Sequence, residues 1–150
     1  MKSVFNQTET AELLARIDKL SPDSVPLWGK MNVGQMLAHC NVTYELVYED
    51  KYPKPNFFMK TILKLMVKNT VVSEKPYKKN SPTAPIFIIK ESKDFEAEKT
   101  RLKDHINKTL SLGENYFNGK ESHSFGVLTI QEWNNMFYKH LDHHLSQFGV

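Results

Sequence analysis

The 150-residue sequence has one cysteine, few glycines and prolines, and no long apolar run. A disulfide or a CxxC motif needs two cysteines, so the lone Cys40 excludes both, and a single thiol fits a reducing compartment. No segment reaches the roughly eighteen apolar residues of a membrane-spanning helix, and the first residues lack the apolar run of a secretion signal. We therefore expect a cytoplasmic protein with no membrane span.

The sequence also lacks a basic surface of the kind that reads nucleic acid. The net charge is only +3, and the basic excess is concentrated in residues 51–100, which hold 11 lysines, no arginine and 5 acidic residues. Phosphate and guanine recognition favours arginine, so we expect no nucleic-acid partner. The 40% apolar content is that of a folded chain, and the length predicts one domain over residues 1–150.

Apolar spacing and capping signals predict four long helices. They are Thr8–Leu20, with Thr8 or Thr10 as N-cap; Asn32–Glu49, capped by Asn32; Ser92–Leu112, capped by Ser92 and followed by Gly113; and a helix from Thr129 nearly to Gly149, opened by a Thr129-x-x-Glu132 capping box. The connections 70–92 and 113–127 are long and irregular. This pattern predicts an all-α four-helix bundle with one short accessory helix.

The accessory helix, Phe57–Lys68, is apolar on almost every side except for a stripe formed by Lys60, Lys64 and Lys68. Three interpretations remain open at this stage. The helix packs over the bundle, closes a homodimer, or lies against an anionic membrane face.

The last helix carries two histidines on its apolar face. With His140 placed at zero on a helical wheel, Trp133 lies at about 20° and His144 at about 40°. His143 lies at the margin of this face, and Asp142, at about 200°, points away. Two imidazoles one turn apart can chelate a divalent ion, whereas unpaired imidazoles among Trp, Phe and Leu side chains would be costly to bury.

The second helix offers a third nitrogen, because His39 is centred on its buried face. Gln35 and Thr43 lie one turn away on either side, as residues that orient a ligand or contact a substrate would. The alternative is that these histidines are hydrogen-bonded core residues without a metal. Cys40 lies about 100° away and is predicted to be a core residue, and His123 either caps a turn or lies at the mouth of the site.

Two blocks of sequence carry a family resemblance. They are Trp28-x-x-Met31-x-x-x-Gln35-Met36-Leu37-Ala38-His39, and His123-x-Phe125-Gly126-x-Leu128-Thr129-x-x-Glu132-Trp133 with Tyr138-Lys139-His140-Leu141-Asp142-His143-His144-Leu145-x-Gln147-Phe148-Gly149. The chain resembles the DinB-like (DinB/YfiT) metalloenzyme superfamily, although Ser124 stands where relatives often have proline. The resemblance implies a four-helix bundle in which His39, His140 and His144 bind zinc, nickel or iron. It also implies chemistry such as that of superfamily members that use bacillithiol or mycothiol.

Three neutral imidazoles leave a divalent ion with its full charge and an open position, which is typical of a catalytic site. Such an ion activates either water or a thiol. The sequence offers no carboxylate as general base, and a thiolate is itself a nucleophile, so a thiol-dependent S-transferase is favoured. A metal-dependent hydrolase and a non-catalytic metal-binding module are the alternatives. The expected partners are a small-molecule substrate and a low-molecular-weight thiol, and a second copy of the chain is a partner under the homodimer interpretation of the accessory helix.

Overall fold

The structure, a computed structural model, describes residues 1–150 and is mostly helical. The elements are α1 (Gln7–Asp18), α2 (Val33–Tyr48), α3 (Phe57–Met66), α4 (Lys68–Val72), a 3-10 turn (Pro85–Phe87), α5 (Phe95–Phe117), β1 (Glu121–Ser122), β2 (Gly126–Val127) and α6 (Ile130–Gln147). Helices α1, α2, α5 and α6 pack against one another as a four-helix bundle. The all-α prediction is confirmed, and the only sheet is the two-residue antiparallel pair β1–β2.

Two of the predicted helix starts are confirmed and two are wrong. Asn32 and Thr129 cap α2 and α6, each in a complete capping box. Helix α1 is instead capped by Asn6, whose Oδ1 accepts from the N–H groups of Thr8 and Glu9, while the Thr10 hydroxyl donates to a backbone carbonyl in the core. Helix α5 is capped by Asp94, whose carboxylate accepts from a backbone N–H three residues later, so Ser92 lies outside the helix.

The connection between α5 and α6 is shorter than the predicted 113–127. Gly113 adopts φ +68 and interrupts the helix as expected, but helical structure resumes as far as Phe117. The reason is packing, because the Phe117 ring is fully buried in edge-to-face contact with Trp133 and Phe137 of α6. This aromatic cluster fixes the rotation of α6 and turns its histidine face toward α2.

Helices α3 and α4 pack over the bundle, and two of the three lysines of the stripe, one in α3 and one in α4, form ion pairs with the protein, whereas Lys64 is exposed. Lys60 pairs with Glu121, and Lys68 pairs with Glu132 at 2.7 Å. The outer face exposes most of each of four large apolar side chains, between 72% and 88%: Phe57, Phe58, Leu65 and Met66. Two of the three lysines of the stripe are therefore paired within the protein, and the outer face of α3 is apolar.

No helix combines the length and the apolar character needed to cross a membrane.

Candidate metal centre

Three histidines from two helices converge at one point of the bundle. His39 comes from α2, and His140 and His144 come from successive turns of α6. Their ligand nitrogens all lie within 4.8 Å of one another, and the Nε2 atoms of His39 and His140 are 2.9 Å apart. Asp142, between the two α6 histidines, turns away and binds Arg16 of α1 at 2.7 Å, as its place on the wheel predicts.

The Nδ1 atoms of His39 and His144 are both held by oxygens that can only accept. His39 Nδ1 donates to the carbonyl of Phe87 at 2.9 Å, and His144 Nδ1 donates to Gln147 Oε1 at 2.8 Å. The Gln147 amide is oriented by its own Nε2, which donates to the Trp28 carbonyl at 2.7 Å. In a neutral ring this places the proton on Nδ1 and leaves the Nε2 lone pair free.

The third ring is held by a neighbour on the opposite helix. His140 Nδ1 lies 3.0 Å from the hydroxyl of Thr43, one turn after His39 on α2. A hydroxyl accepts as well as donates, so it supports the tautomer in which His140 Nε2 also carries the lone pair. Each of the three rings therefore has a partner on Nδ1 that orients it, which is the usual support for metal-bound histidine.

Burial keeps the three rings uncharged. It lowers the pKa of His39 and lowers that of His144 to about 3, and neighbouring histidines add to the effect. The pKa of His140 is held well below its ordinary value, first by burial and then by His144 and His39. A histidine binds a metal in its neutral form, so these rings need release no imidazolium proton when they bind an ion near pH 7.

The donor set fits a divalent transition metal. Tetrahedral ligands at 2.0–2.1 Å from zinc are roughly 3.4 Å apart, and the nitrogen separations in the protein bracket that spacing. Imidazole suits zinc, nickel and iron alike, so the donors do not select among them. Three imidazole ligands would leave a bound ion a coordination position for water or substrate.

The histidines line a cavity of about 870 Å³ that contains no aspartate, glutamate or cysteine among its lining residues. Lys30 and Lys78, both exposed, line it as well. A cavity without carboxylates would leave the charge of a bound cation uncompensated. That charge would then be available to polarise a small molecule bound beside the cation.

The other predicted site residues lie around the cavity with different roles. Thr43 holds His140, as described. Gln35 lines the cavity but makes no hydrogen bond to the rings, since its Oε1 completes the α2 capping box and its Nε2 donates to the Glu91 carbonyl. His143 is half-buried, with its ring centroid 5.8 Å from that of Trp28 and 5.6 Å from that of Tyr77.

Trp133 and His123 line the cavity away from the three rings. Trp133 is fully buried in the aromatic cluster. His123 Nδ1 lies 2.9 Å from Ser124 Oγ, and its Nε2 lies 3.4 Å from the Tyr52 carbonyl, so it contributes no atom to the cluster of ligands. Cys40 is buried in the core with its sulfur 3.8 Å from that of Met36, which places it among packing residues.

Sequence reasoning missed Gln147 as a residue that supports the site. The available signal is its position three residues after His144, on the same helical face. Gln147 Nε2 reaches the Trp28 carbonyl only because the next residue is Gly29. Gly29 has φ +85, and a Cβ there would lie 2.5 Å from Gln147 Nε2. A glycine is thus required where the chain before α2 passes the end of α6.

We expect Gln147→Leu to weaken zinc binding by about ten- to hundredfold, because His144 then loses the acceptor that fixes its tautomer. Isothermal titration with zinc measures the change. Gln131→Leu, at the exposed first turn of the same helix, is the matched control and is expected to bind as the wild type does. Equal affinities in both variants would show that Gln147 does not support the site.

Comparison with known proteins gives one match. A family described as "Protein of unknown function (DUF1569)" matches residues 2–149, and no curated protein or solved structure matches the chain. The matched range includes α2 and α6 in full, and with them all three converging histidines. The chain therefore belongs to the DUF1569 family.

Proposed function

We propose that the protein is a divalent-metal-dependent enzyme of the DinB-like type, with residues 1–150 as one domain, that transfers a low-molecular-weight thiol to an electrophile. The observation that carries the proposal is the convergence of three neutral imidazoles, His39, His140 and His144, on a cavity without carboxylates. Zinc, nickel or iron is the proposed cofactor, and the cytoplasm is the proposed compartment, since thiols stay reduced there.

When bound, a divalent ion lowers the pKa of a thiol, so that the nucleophilic thiolate is present at neutral pH. The protein's own part is to orient the three imidazoles and to keep competing carboxylates away from the cation. Thr43, Gln147 and the Phe87 carbonyl orient the three rings, and the cavity offers no carboxylate that would compete for the cation. Lys30 and Lys78 attract the carboxylates that low-molecular-weight thiols carry.

The alternatives need different features. A hydrolase requires a general base to activate water. The cavity has no carboxylate for that role, and outside the proposed ligand set its only imidazoles are those of His123 and His143. A metal-binding module without catalysis would not need the 870 Å³ cavity beside its ion. The apolar outer face of α3 supports our proposal that a second copy of the chain binds there, which is compatible with each of these functions.

The proposal is tested with protein purified without metal-affinity resin and loaded with one equivalent of zinc or nickel. The assay follows 1-chloro-2,4-dinitrobenzene with cysteine, glutathione or bacillithiol. A carbon–sulfur bond forms, chloride leaves and the thiol proton passes to solvent. With at least one thiol we expect a rate that disappears on chelation and returns when metal is restored.

The loaded wild type is compared with His140→Ala, which supplies the background rate under the same conditions. A wild-type rate equal to that background with every thiol would refute the transferase. Metal-dependent cleavage of 4-nitrophenyl acetate without any thiol would instead support the hydrolase.

A further inference from the structure

The cavity continues well beyond the histidines, along the groove between α2 and α6. The two helices run in opposite directions, since Trp28, before α2, meets Gln147 at the end of α6. Leu46 lies seven residues after His39, and Trp133 lies seven residues before His140. Both residues line the cavity, and at 1.5 Å per residue each is about 10 Å along its helix from the imidazoles. The cavity thus has an extension about 10 Å long on this side of the rings.

The walls of this extension are apolar, and we call it the apolar arm. Its side chains come from α2, α6, the α3–α4 segment and the β1–β2 turn: Leu46, Val47, Trp133, Met136, Leu63, Val67, Val71 and Phe125. The three α3–α4 residues recur at every fourth position, so a single continuous face of that segment covers the arm. None of these side chains carries a charge.

The polar side chains of the neighbouring β1–β2 turn are already engaged within the protein. Ser122 Oγ donates to the Gly126 carbonyl and accepts from the Phe125 N–H. Ser124 Oγ and His123 Nδ1 are 2.9 Å apart. The serine hydroxyls of the turn are therefore not free for a ligand in the arm, and such a ligand gains chiefly by leaving water for an apolar wall.

We propose that the apolar arm binds an uncharged alkyl or aryl group of the electrophile and presents its reactive end to the histidines. That the bound group belongs to an electrophile rests on the proposed function, whereas the binding of an apolar group needs no metal. An extended chain advances roughly 1.2 Å per bond, so an arm of about 10 Å accommodates about eight carbons. Each buried methylene then tightens binding about fourfold until the arm is filled.

The probes are straight-chain primary alcohols from butanol to dodecanol, added to full-length Trp28→Phe protein with and without one equivalent of zinc. Trp133, in the wall of the arm, is then the only tryptophan, and its fluorescence reports occupancy. We expect the dissociation constant to fall about fourfold per methylene up to about eight carbons and then to level off. Binding without any dependence on length, or no binding, would overturn the proposal.

The matched variants are Leu63→Phe, which fills the arm, and Leu65→Phe, which makes the same change on the exposed face of α3. Leu63→Phe is expected to weaken octanol binding at least tenfold with unchanged zinc content, and Leu65→Phe is expected to change neither. Equal effects in the two variants would refute the arm as the binding site. Octanol binding in a protein that takes up no zinc would refute the proposed function alone, and zinc uptake without octanol binding would refute this inference alone.

Discussion

Replacing His140 with alanine is expected to reduce bound metal from one equivalent per chain to nearly none. The three ring centroids form a nearly equilateral triangle, in which His140 is 4.9 Å from His39 and 4.8 Å from His144, and His39 is 4.5 Å from His144. Loss of His140 leaves one nitrogen on each of two helices. Loss of a residue that merely orients a ligand costs ten- to hundredfold in affinity, so loss of the ligand itself should cost more. Elemental analysis of protein purified without metal-affinity resin provides the measurement.

His123→Ala is the matched control for this experiment. It removes another imidazole from the wall of the same cavity but leaves the three converging nitrogens intact. We expect it to retain one equivalent of metal, which separates the loss of a ligand from a general effect of losing a histidine. Equal metal content in wild type and His140→Ala would contradict the proposed site, whatever the control shows.

The sequence was most informative where the relevant spacing is local. His140 and His144 share a face because four residues make about one turn, and Asp142 points away for the same reason. His39 follows from the same argument applied to α2, since its neighbours on the wheel mark the buried face. The facing of the two helices is a tertiary feature, but the all-α pattern and the alternation of helices and loops already favour a bundle.

What the sequence did not reveal depends on contacts between distant residues. The Phe87 carbonyl that holds His39 lies at the end of the short 3-10 turn, 48 residues away, where no periodicity of the sequence indicates which carbonyl points inward. Lys60 of α3 and Lys68 of α4 turn toward the protein because Glu121 and Glu132, far along the chain, pair with them. Gln35 lines the cavity, but its backbone N–H and its side chain are also engaged by the cap of its own helix, so its role at the site stays a prediction.

Zinc is expected to raise the thermal stability of the wild-type protein substantially. The apo protein buries three neutral imidazoles with their nitrogens close together, and an ion that binds the folded state alone stabilises it by mass action. At a free zinc concentration a thousand times the dissociation constant, the gain is about 4 kcal/mol. For a chain of this length each kcal/mol shifts the midpoint by about 2–4 °C, so a rise of about 8–16 °C should appear in calorimetry or circular dichroism.

The comparison that tests this increase is His39→Ala beside His105→Ala, with each variant melted both with and without zinc. His105 is a partly buried histidine of α5 that stacks on Tyr44 outside the cavity, so its loss perturbs packing but not the converging nitrogens. Because the readout is the difference between two melts of one protein, the intrinsic cost of each substitution cancels. His105→Ala should keep the full zinc-dependent rise and His39→Ala should lose most of it, with His39→Asn as the substitute if the alanine variant does not fold. A rise of the same size without His39 would mean that zinc stabilises the protein from elsewhere, since two nitrogens on α6 alone cannot join that helix to α2.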